Sequence, residues 1–434
     1  MFPRHTASTG MTDGASSATS TSHTTVIRGV RVFDGTKPLD ANSVLIRDGV
    51  VAEVGTDLSA HHATETVEGA GGTLLPGLID SHTHTLRVAE LEQALAFGVT
   101  TELDMFCVPE LLEPLRGAAA SRDDVADIRS AGIGASVPGG HPTQLVEMGV
   151  YPPFPTLASD DEAPGFVADR VSEGSDYLKI LIEDGSTMGW GGQPRLDART
   201  VSALSASAHA RGLRVLAHIS TQADAYQAVA TGVHGLAHLF VDQPPEPEFV
   251  HKAAESGIFA VPTITIFELL HGTARRETAY VDHPRLWPYL DPVVREALLS
   301  DWREHLPWQP PHWASAEHTR RAARLLHQAG VPVLAGTDVA HPRAAHGLSL
   351  HAELAALVDA GLSPTEALTA ATRAPADAFG LTDRGRITPG SRADLLLVAG
   401  DPTSDITATG EITGIWRRGQ RFDRDAYQAG LNTP

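Results

Sequence analysis

Short apolar runs that follow a glycine recur along this chain, and this repeat constrains the fold more than any other feature. Each run comes after an alanine-rich, helix-like segment, and glycine is the residue expected in the left-handed conformation that ends a helix. The glycines are Gly98, Gly132, Gly174, Gly212, Gly232, Gly257 and Gly330, and the run after Gly174 starts slightly later. Short apolar runs are typical of buried parallel strands. With TLLPGLIDSH (73–82) as the first strand, they predict eight strands alternating with helices.

Eight strand–helix units predict an α/β fold, the (β/α)8 barrel of the TIM type. A doubly wound open sheet is the alternative, but the chain lacks a nucleotide-binding glycine loop, which favours closure. The flanks alternate apolar and polar residues with Asp-Gly turns, a pattern typical of antiparallel hairpins. We therefore expect a barrel over 77–385 and a small β-sandwich from 24–76 and 386–425, because chain ends usually lie close together. Residues 1–23, rich in Ser, Thr and Gly, predict a disordered tail.

The charge of the chain limits its partners. Acidic residues outnumber basic ones by 53 to 33, a formal net charge of −20, whereas nucleic acids and anionic membranes require a basic face. Halophilic adaptation is an alternative explanation of this acidity. The single cysteine, Cys107, excludes an intrachain disulfide, and no run of 18 apolar residues is present to span a membrane. We expect a cytoplasmic, homo-oligomeric enzyme that acts on a small molecule.

Histidines, a lysine and an aspartate stand at the ends of five predicted strands. In a TIM-type barrel these ends meet on one rim, which carries the catalytic groups. A lone histidine is usually a hydrogen-bonded structural residue, but four imidazoles and a carboxylate on one rim predict a metal site. Such ligands suit zinc, and also manganese, iron or cobalt. The residues are His82 and His84 (first strand), Lys179 (fourth), His218 (fifth), His238 (sixth) and Asp338 (eighth).

Lys179 is the unexpected member of this set. An ammonium group beside divalent cations is strongly disfavoured by charge repulsion. If the amine captured carbon dioxide, the resulting carbamate would be anionic, and its two oxygens could bridge two metal ions. A salt-bridged or snorkelling lysine is the alternative for this residue considered alone. We expect the carbamate because of the metal-binding residues predicted around it.

This set of residues resembles the binuclear type of the metal-dependent amidohydrolase superfamily, in its prolidase-like and imidazolonepropionase-related branch. GVHGLAHL (232–239) is similar to the sixth-strand motif of that superfamily, and the stretch from 346 into the last β segment is similar to its closing part. The resemblance implies two divalent metal ions, with zinc the first expectation, and carbon dioxide for the lysine. It implies one metal held by His82, His84 and Asp338, and a second held by His218 and His238, with carbamylated Lys179 bridging them.

The resemblance also implies a reaction, hydrolysis of an amide-type C–N bond in an N-acyl amino acid, dipeptide, carbamate or urea. A hydroxide bridging the metals would attack the carbonyl, and Asp338 would pass its proton to the leaving amine. Deaminases of the superfamily usually carry a glutamate three residues after the fifth-strand histidine, where this chain has Thr221, so deamination is not expected. An ester, lactone or phosphotriester hydrolase on the same metals is the alternative. A non-catalytic scaffold of this fold is a more remote one.

Three residues are candidates for contact with the substrate. His141 stands in a Gly-Gly-His loop after the third strand, similar to a loop of the prolidase-like group whose histidine contacts substrate. That resemblance implies a catalytic or binding role, and a solvent-facing loop histidine is the alternative. Trp190, after the fourth strand, and His346, beyond Asp338, are the other two candidates. Cys107 is expected to pack rather than to react.

The segment 267–317 is too long for a simple connection between a strand and a helix. A long insertion at the catalytic rim is typical of a lid, and a peripheral helical pair or an oligomer contact is the alternative. Its aromatic content favours a substrate with an apolar or aromatic moiety, because such side chains bury large apolar areas. The segment contains Trp287, Trp302, Trp308 and Trp313.

Overall fold

The computed structural model of the protein describes residues 23–58, 63–272, 280, 283–300, 309–339 and 344–431. The predicted tail, apart from His23, lies outside the described residues. Trp302 and Trp308 of the predicted lid also lie outside them. Within the described ranges, no helix combines the length and the apolar character needed to cross a membrane.

Strands alternate with helices through the middle of the chain, and short strands dominate both of its ends. The strands are β1 (Thr24–Arg28), β2 (Arg31–Phe33), β3 (Pro38–Leu39), β4 (Ser43–Arg47), β5 (Val50–Gly55), β6 (Glu65–Glu68), β7 (Thr73–Pro76), β8 (Leu78–Thr83), β9 (Val99–Asp104), β10 (Asp127–Ser130), β11 (Leu178–Leu181), β12 (Val215–His218), β13 (Gly235–Ala237), β14 (Phe259–Val261), β15 (Leu395–Val398), β16 (Ile412–Arg417) and β17 (Gln420–Arg421). The helices are α1 (Val88–Ala96), α2 (Pro109–Ser121), α3 (Gln144–Glu147), α4 (Ala163–Ser172), α5 (Ala198–His209), α6 (Gln222–Ala230), α7 (Pro247–Ser256), α8 (Ile264–His271), α9 (Pro292–Leu299), α10 (Ala316–Gln328), α11 (Leu348–Ala360), α12 (Pro364–Ala370), α13 (Arg373–Ala378) and α14 (Arg424–Leu431).

The strands β8 to β14 are parallel and give the molecule a TIM-barrel-like α/β architecture. They form two sheets, with the strand orders β10-β9-β8 and β11-β12-β13-β14. Every residue of β8, β9 and β11 is buried, as expected for parallel strands that are covered on both faces. The carboxyl ends of these strands therefore lie on one side of the molecule. Single parallel residue pairs extend the edges of the two sheets: Ala135 pairs with Ile180 of β11, Val333 with Ala260 of β14 and Val339 with Thr83 of β8.

The third parallel strand lies elsewhere than predicted. The sequence pattern predicts it after Gly132, but β10 ends at Ser130, and beyond the glycine a single residue, Ala135, makes a β pair among the described residues. The reason is a charged residue on a buried strand. Asp127 forms an ion pair with the buried guanidinium of Arg384, so β10 lacks the continuous apolar run that marks the other strands.

Glycines end the helices as the sequence predicts. Gly257 follows α7 with a φ of +68°, and Gly98 follows α1 with a φ of +81°, both in the left-handed region that glycine adopts without strain. Gly98 has a second reason to be glycine. A Cβ atom at this position would lie 2.8 Å from the side chain of Leu396, so the residue allows β15 to approach the barrel-like part closely.

Strands from both ends of the chain share one sheet. Its order is β17-β16-β15-β7-β2-β3, and β15 pairs antiparallel with β7, whereas β5-β4-β1-β6 form a second sheet. Side chains alternate along the paired strands, as the period of two requires. Leu74 and Leu395 pack in an apolar cluster with Trp416, whereas Leu75 and Leu396 belong to the main core beneath the parallel strands. The terminal strands therefore connect two apolar cores.

Candidate active site

The carboxylate of Asp338 lies among three histidines at the carboxyl ends of the parallel strands. Its Oδ1 atom is 3.3 Å from Nε2 of His82 and 3.1 Å from Nε2 of His84, and its Oδ2 atom is 3.9 Å from Nε2 of His238. His82 on β8 and His84, one residue beyond its end, are two positions apart and both contact this carboxylate. One ligand atom each of His82, His238 and Asp338 lies within 4.8 Å of the others, which makes this the most compact part of the site.

Three non-glycine residues at the site have left-handed backbone conformations. The φ angles are 78° at His238, 53° at Asp338 and 50° at Thr263. Such a residue costs about 1–3 kcal/mol and persists where its surroundings hold it in place. Here main-chain hydrogen bonds hold the backbone, from Asp338 N to His82 O at 2.8 Å and from His238 N to the next strand at 2.9 Å. Strain of this kind clusters at functional sites, which agrees with the position of these residues.

The charges of these groups fit a divalent cation. Metal binding requires neutral imidazoles and an ionised carboxylate. Burial lowers the pKa of His82 and of His238 well below the ordinary value for histidine. Burial acts to raise the pKa of Asp338, but His238 and His84 outweigh it and hold the pKa below its usual range. Nδ1 of His238 lies 2.8 Å from Oγ1 of Thr263, so its Nε2 is the nitrogen that is available to a metal.

Lys179 points into the same cluster from β11. Its side chain is buried, and its Nζ atom lies 3.5 Å from Nε2 of His82. Burial lowers the pKa of the amine to about 7, although Asp338 and Asp104 act in the opposite direction. At neutral pH the amine is therefore partly unprotonated, which is the form that can react with carbon dioxide.

His218 lies at the edge of the cluster. Its ring centroid is 4.6 Å from that of His238, with the two rings nearly perpendicular at 79°. Its Nε2 atom lies 3.3 Å from Oε2 of Glu183. Thr221, three residues further on, is the N-cap of α6 and accepts a hydrogen bond from the backbone N–H of Asp224. The structure thus brings all six predicted metal-binding residues into one connected group.

Glu183 is a site residue that the sequence analysis missed. It follows β11 by two residues, its side chain is 2% exposed, and it lines the cavity beside the histidines. Burial acts to raise its pKa, but the hydrogen bond with His218 lowers it to about 2, so the group is a buried carboxylate. A signal was present, because an acidic residue directly after a predicted strand meets the same criterion as Asp338. The predicted metal ligand of that strand was Lys179, and Glu183 was not considered beside it.

A small cavity of about 110 Å³ opens beside the cluster. One wall is polar and includes His141, whose ring stacks over Trp190 with centroids 6.3 Å apart and planes at 16°. Burial lowers the pKa of His141 to about 3, so this imidazole is neutral. The structure therefore places both His141 and Trp190 in the lining of this cavity. The lining residues are His141, Glu183, Met188, Trp190, His218, Ser220, His238, Ile266, Phe267, Leu270 and Asp338.

His346 is not among the residues that line this cavity. Its Nδ1 atom lies 2.8 Å from Oε1 of Glu102, and its Nε2 atom lies 3.8 Å from Oε2 of Glu90. Burial acts to lower its pKa, but these two carboxylates raise it to about 9. His346 is therefore a buried cation that connects the start of α11 to β9 and α1. The predicted contact with substrate stays a prediction.

The described part of the segment 267–317 divides between two places. Trp287 and Tyr289 pack against the main core. The guanidinium carbon of Arg424, in α14, lies 3.6 Å from the ring centroid of Tyr289. Trp313 is 43% exposed. At the other end, the carbonyl of Gln309 lies so close to Gly189 that the position has no room for a Cβ atom, and Gly189 belongs to the loop that carries Trp190.

Comparison with known proteins identifies the family. Residues 73–421 match the Amidohydrolase family. The chain therefore belongs to this family, and the predicted resemblance to the amidohydrolase superfamily is confirmed.

Individual relatives and solved structures agree with this assignment. An imidazolonepropionase of Deinococcus deserti is 26% identical over 410 residues, which is 91% of this chain and 95% of the relative. A dihydroorotase of Citrifermentans bemidjiense is 32% identical over 172 residues, which is 36% of this chain but only 40% of the relative. Among solved structures, a Xaa-Pro dipeptidase with bound methionine matches with a TM-score of 0.73 and 20% identity, covering 92% of this chain and all of the other. This last likeness is one of fold.

Proposed function

We propose that this protein is a metal-dependent hydrolase that cleaves an amide-type C–N bond in a small molecule with an apolar or aromatic moiety. N-acyl amino acids, dipeptides, carbamates and ureas are the substrate classes that contain such a bond. One observation carries the proposal. Asp338 lies within 3.9 Å of three imidazoles and faces a small cavity, and these donors suit a hydrolytic metal centre.

Two divalent metal ions are the proposed cofactors, zinc first, with manganese, cobalt or iron as alternatives. When bound, they would activate the attacking water and polarise the scissile carbonyl. The lowered pKa of Lys179 supports its carbamylation by carbon dioxide, since an unprotonated amine is required. His82, His84 and Asp338 would hold one ion and His218 and His238 the other, with carbamylated Lys179 between them.

Asp338 is the proposed proton carrier. Its side chain is 22% exposed and lines the cavity, and it is ionised because His238 and His84 lower its pKa. An ionised carboxylate can take the proton of the attacking water and deliver it to the leaving nitrogen. A proton must reach that nitrogen because an amine anion is a poor leaving group.

His141 is proposed to bind the substrate. The side-chain amide of Gln144 donates a hydrogen bond to Nδ1 of His141 at 2.7 Å, which leaves the ring proton on Nε2. A neutral ring of this tautomer can donate a hydrogen bond to the substrate carbonyl. The proposed roles of His141 and Asp338 therefore differ, one orienting the carbonyl and the other moving a proton.

The apolar residues that line the cavity support an apolar or aromatic substrate group. They are Met188, Trp190, Ile266, Phe267 and Leu270, and burying one side chain of this size contributes about 1.5–3 kcal/mol. Among structures similar in fold, a Xaa-Pro dipeptidase and a phenylurea hydrolase B carry names that point to a dipeptide and a phenylurea. A dipeptide and a phenylurea each contain a C–N bond of the proposed type.

The proposal includes the wider architecture predicted from the sequence. The single residue pairs at the edges of the two parallel sheets support a closed eight-stranded barrel, and the cluster around Trp416 supports a β-sandwich made from both chain ends. The approach of Gln309 to Gly189 supports a lid in 267–317. A cytoplasmic location and a homo-oligomeric state are further parts of the proposal.

The test is hydrolysis by metal-defined protein. Purified protein is stripped with a chelator, reloaded with zinc, manganese or cobalt, and assayed against N-acyl amino acids, dipeptides, phenylcarbamates and phenylureas, with esters, lactones and phosphotriesters in parallel. We expect turnover of a C–N substrate that is lost with the metal and returns with it. Turnover of the oxygen and phosphorus substrates alone would contradict the proposal. A wild-type protein that binds none of these metals would favour a non-catalytic scaffold.

A matched pair of variants connects this activity to the site. Asp338→Asn removes the proton carrier and is expected to lower kcat by about 10²–10⁴-fold. Asp184→Asn changes a carboxylate on the loop after β11 that does not line the cavity, and it should retain the wild-type rate. Equal rates in the two variants would rule out the role of Asp338.

A further inference from the structure

We propose that Glu183 is a positioning residue that fixes the ring of His218 and directs its Nδ1 atom to the metal. This inference rests on the proposed function, because it concerns a ligand of the metals which that function requires. It adds a residue outside the six strand-end positions, with a stated role and a stated contact.

The contacts of Glu183 hold its carboxylate in one place. Oε1 accepts a hydrogen bond from the backbone N–H of Gly185 at 2.6 Å, and Oε2 lies 3.3 Å from Nε2 of His218. The backbones are also joined, because Ile182 donates its N–H to the carbonyl of His218 at 3.0 Å. The carboxylate and the imidazole are therefore held in register by their strands and not by side-chain packing alone.

The charge of Glu183 requires a partner. A buried carboxylate is strongly unfavourable unless it is paired and hydrogen-bonded. Among the described residues, His218 is the one side chain that forms an ion-pair contact with Glu183, and no Lys or Arg does so. Nε2 of His218 therefore carries a proton and donates a hydrogen bond to the carboxylate of Glu183.

This contact decides which nitrogen of His218 can bind a metal. In a neutral imidazole one nitrogen carries the proton and the other carries the free lone pair. With Nε2–H donating to Glu183, the lone pair is on Nδ1. His238 has the opposite arrangement, because its Nδ1 contacts Thr263 at 2.8 Å and its Nε2 faces Asp338. The two neighbouring rings thus offer different nitrogens to one centre.

A carboxylate that orients a metal-binding histidine has a measurable effect. Loss of such a partner typically weakens metal affinity by about 10–100-fold, since the ring is free to rotate and is less basic. Two other roles would give different results. A carboxylate that binds the metal directly would change the coordination of the metal when altered, and one that only stabilises the fold would leave the metal affinity unchanged.

The experiment measures metal binding, not activity. Wild type, Glu183→Gln, Glu183→Ala and the control Asp184→Asn are stripped of metal and titrated with cobalt in competition with a chromophoric chelator. The electronic spectrum of bound cobalt reports its coordination. We expect Glu183→Ala to bind at least one cobalt ion about 10–100-fold more weakly. Glu183→Gln should weaken binding less than Glu183→Ala, with an unchanged spectrum, because its single amide oxygen can still accept the hydrogen bond from His218 while its NH2 group faces the N–H of Gly185.

Two results would overturn this inference while leaving the proposed function intact. Unchanged cobalt affinity in Glu183→Ala would show that the contact does not position His218. Equal weakening in both Glu183 variants, with a changed spectrum, would make Glu183 a ligand. Thermal unfolding of the metal-free variants identifies any variant that does not fold. If Glu183→Ala does not fold, the cobalt affinity and spectrum of Glu183→Gln, which keeps the shape of the side chain, test the inference instead. A wild type that binds no metal would overturn the proposed function as well.

Discussion

At the scale of single residues, the most unusual feature is a lysine buried beside histidines. Nζ of Lys179 has Nε2 of His82 as a neighbour at 3.5 Å, and burial lowers the pKa of the amine to about 7. A buried amine that is partly neutral is chemically reactive, whereas a fully protonated one would repel a cation. The position of Lys179 is consistent with a modified side chain that carries negative charge.

Lys179→Ala tests this interpretation. We expect the variant to lose most of its hydrolytic activity, because the centre loses its anionic bridge. Added short carboxylates such as acetate or propionate should restore part of the activity in Lys179→Ala by occupying the vacated space, and they should leave the wild type unaffected. The measurement is kcat/KM as a function of carboxylate concentration. Full activity without any carboxylate would exclude the bridging role.

The residues of the site differ in how far the sequence could predict them. His82, His84 and His218 stand at the ends of apolar runs, so the strand pattern alone selects them. The same pattern could not predict what they contact. The partners of His346, which are Glu102 and Glu90, come from elements more than 200 positions away in the sequence, and only the fold brings them together.

At the scale of elements, the loop after β11 forms one wall of the cavity. Gly185, with a φ of +77°, lies directly against the indole of Trp190, where a Cβ atom would overlap the ring. The left-handed glycine therefore allows the loop to fold back and place the indole against His141. The loop controls the shape of the cavity through this contact.

Trp190→Ala tests the role of that loop. Removing the indole should raise KM for substrates with an aromatic group by about tenfold or more, since an apolar contact of about 1.5–3 kcal/mol is lost. Substrates with a small aliphatic group should be affected less, and kcat should change little. Steady-state kinetics on a matched pair of substrates provides the measurement. Trp313→Ala, at a 43% exposed position outside the cavity, is the control, and equal effects of both variants would contradict the prediction.

The segment just before α11 carries a charged histidine, His346. The pKa of His346 is about 9 in the folded protein against 6.5 for an ordinary histidine, because Glu102 and Glu90 outweigh the effect of burial. A group whose pKa is raised on folding stabilises the fold below its unfolded pKa. The contribution of His346 is thus complete below about pH 6.5 and is lost as the pH rises through about 9.

His346→Gln provides the test of this pH dependence. From pH 6 to pH 9.5 the wild type should lose at most about 3 kcal/mol of its free energy of unfolding through this group, and the variant should lose less. Urea denaturation of both proteins at the two pH values gives the comparison. The comparison isolates His346, because the two proteins share every other titrating group. Parallel losses in the two proteins would show that His346 is not the responsible group.

At the scale of the whole molecule, the terminal strands connect two apolar cores. Leu396 of β15 reaches the main core, whereas Leu395 of the same strand packs with Trp416 between the terminal sheets. Leu396→Ala should lower the free energy of unfolding by about 2–5 kcal/mol, because it leaves a cavity at this junction. Urea denaturation measures the loss. Leu299→Ala, at a 65% exposed site, should change stability little, and similar values for the two variants would contradict the proposed connection.

The architecture was predictable where one local signal repeats. Gly98 and Gly257 mark helix ends through a backbone requirement that any reader of the sequence can apply. The third parallel strand was misplaced because Asp127 needs a charged partner, Arg384, from the far end of the chain. Pairing of β7 with β15 depends on contacts between residues more than 300 positions apart, so the sequence could suggest it only from the general closeness of chain ends.

The central claim is that six side chains from the ends of five predicted strands surround a pair of metal ions. Anomalous diffraction from crystals of the zinc-loaded protein, recorded on both sides of the zinc absorption edge, tests it most directly. The predicted result is two peaks, one beside His82, His84 and Asp338 and one beside His218 and His238, with density for a carbamate on Lys179. An ordered site with these side chains in place and no anomalous peak between them would contradict it.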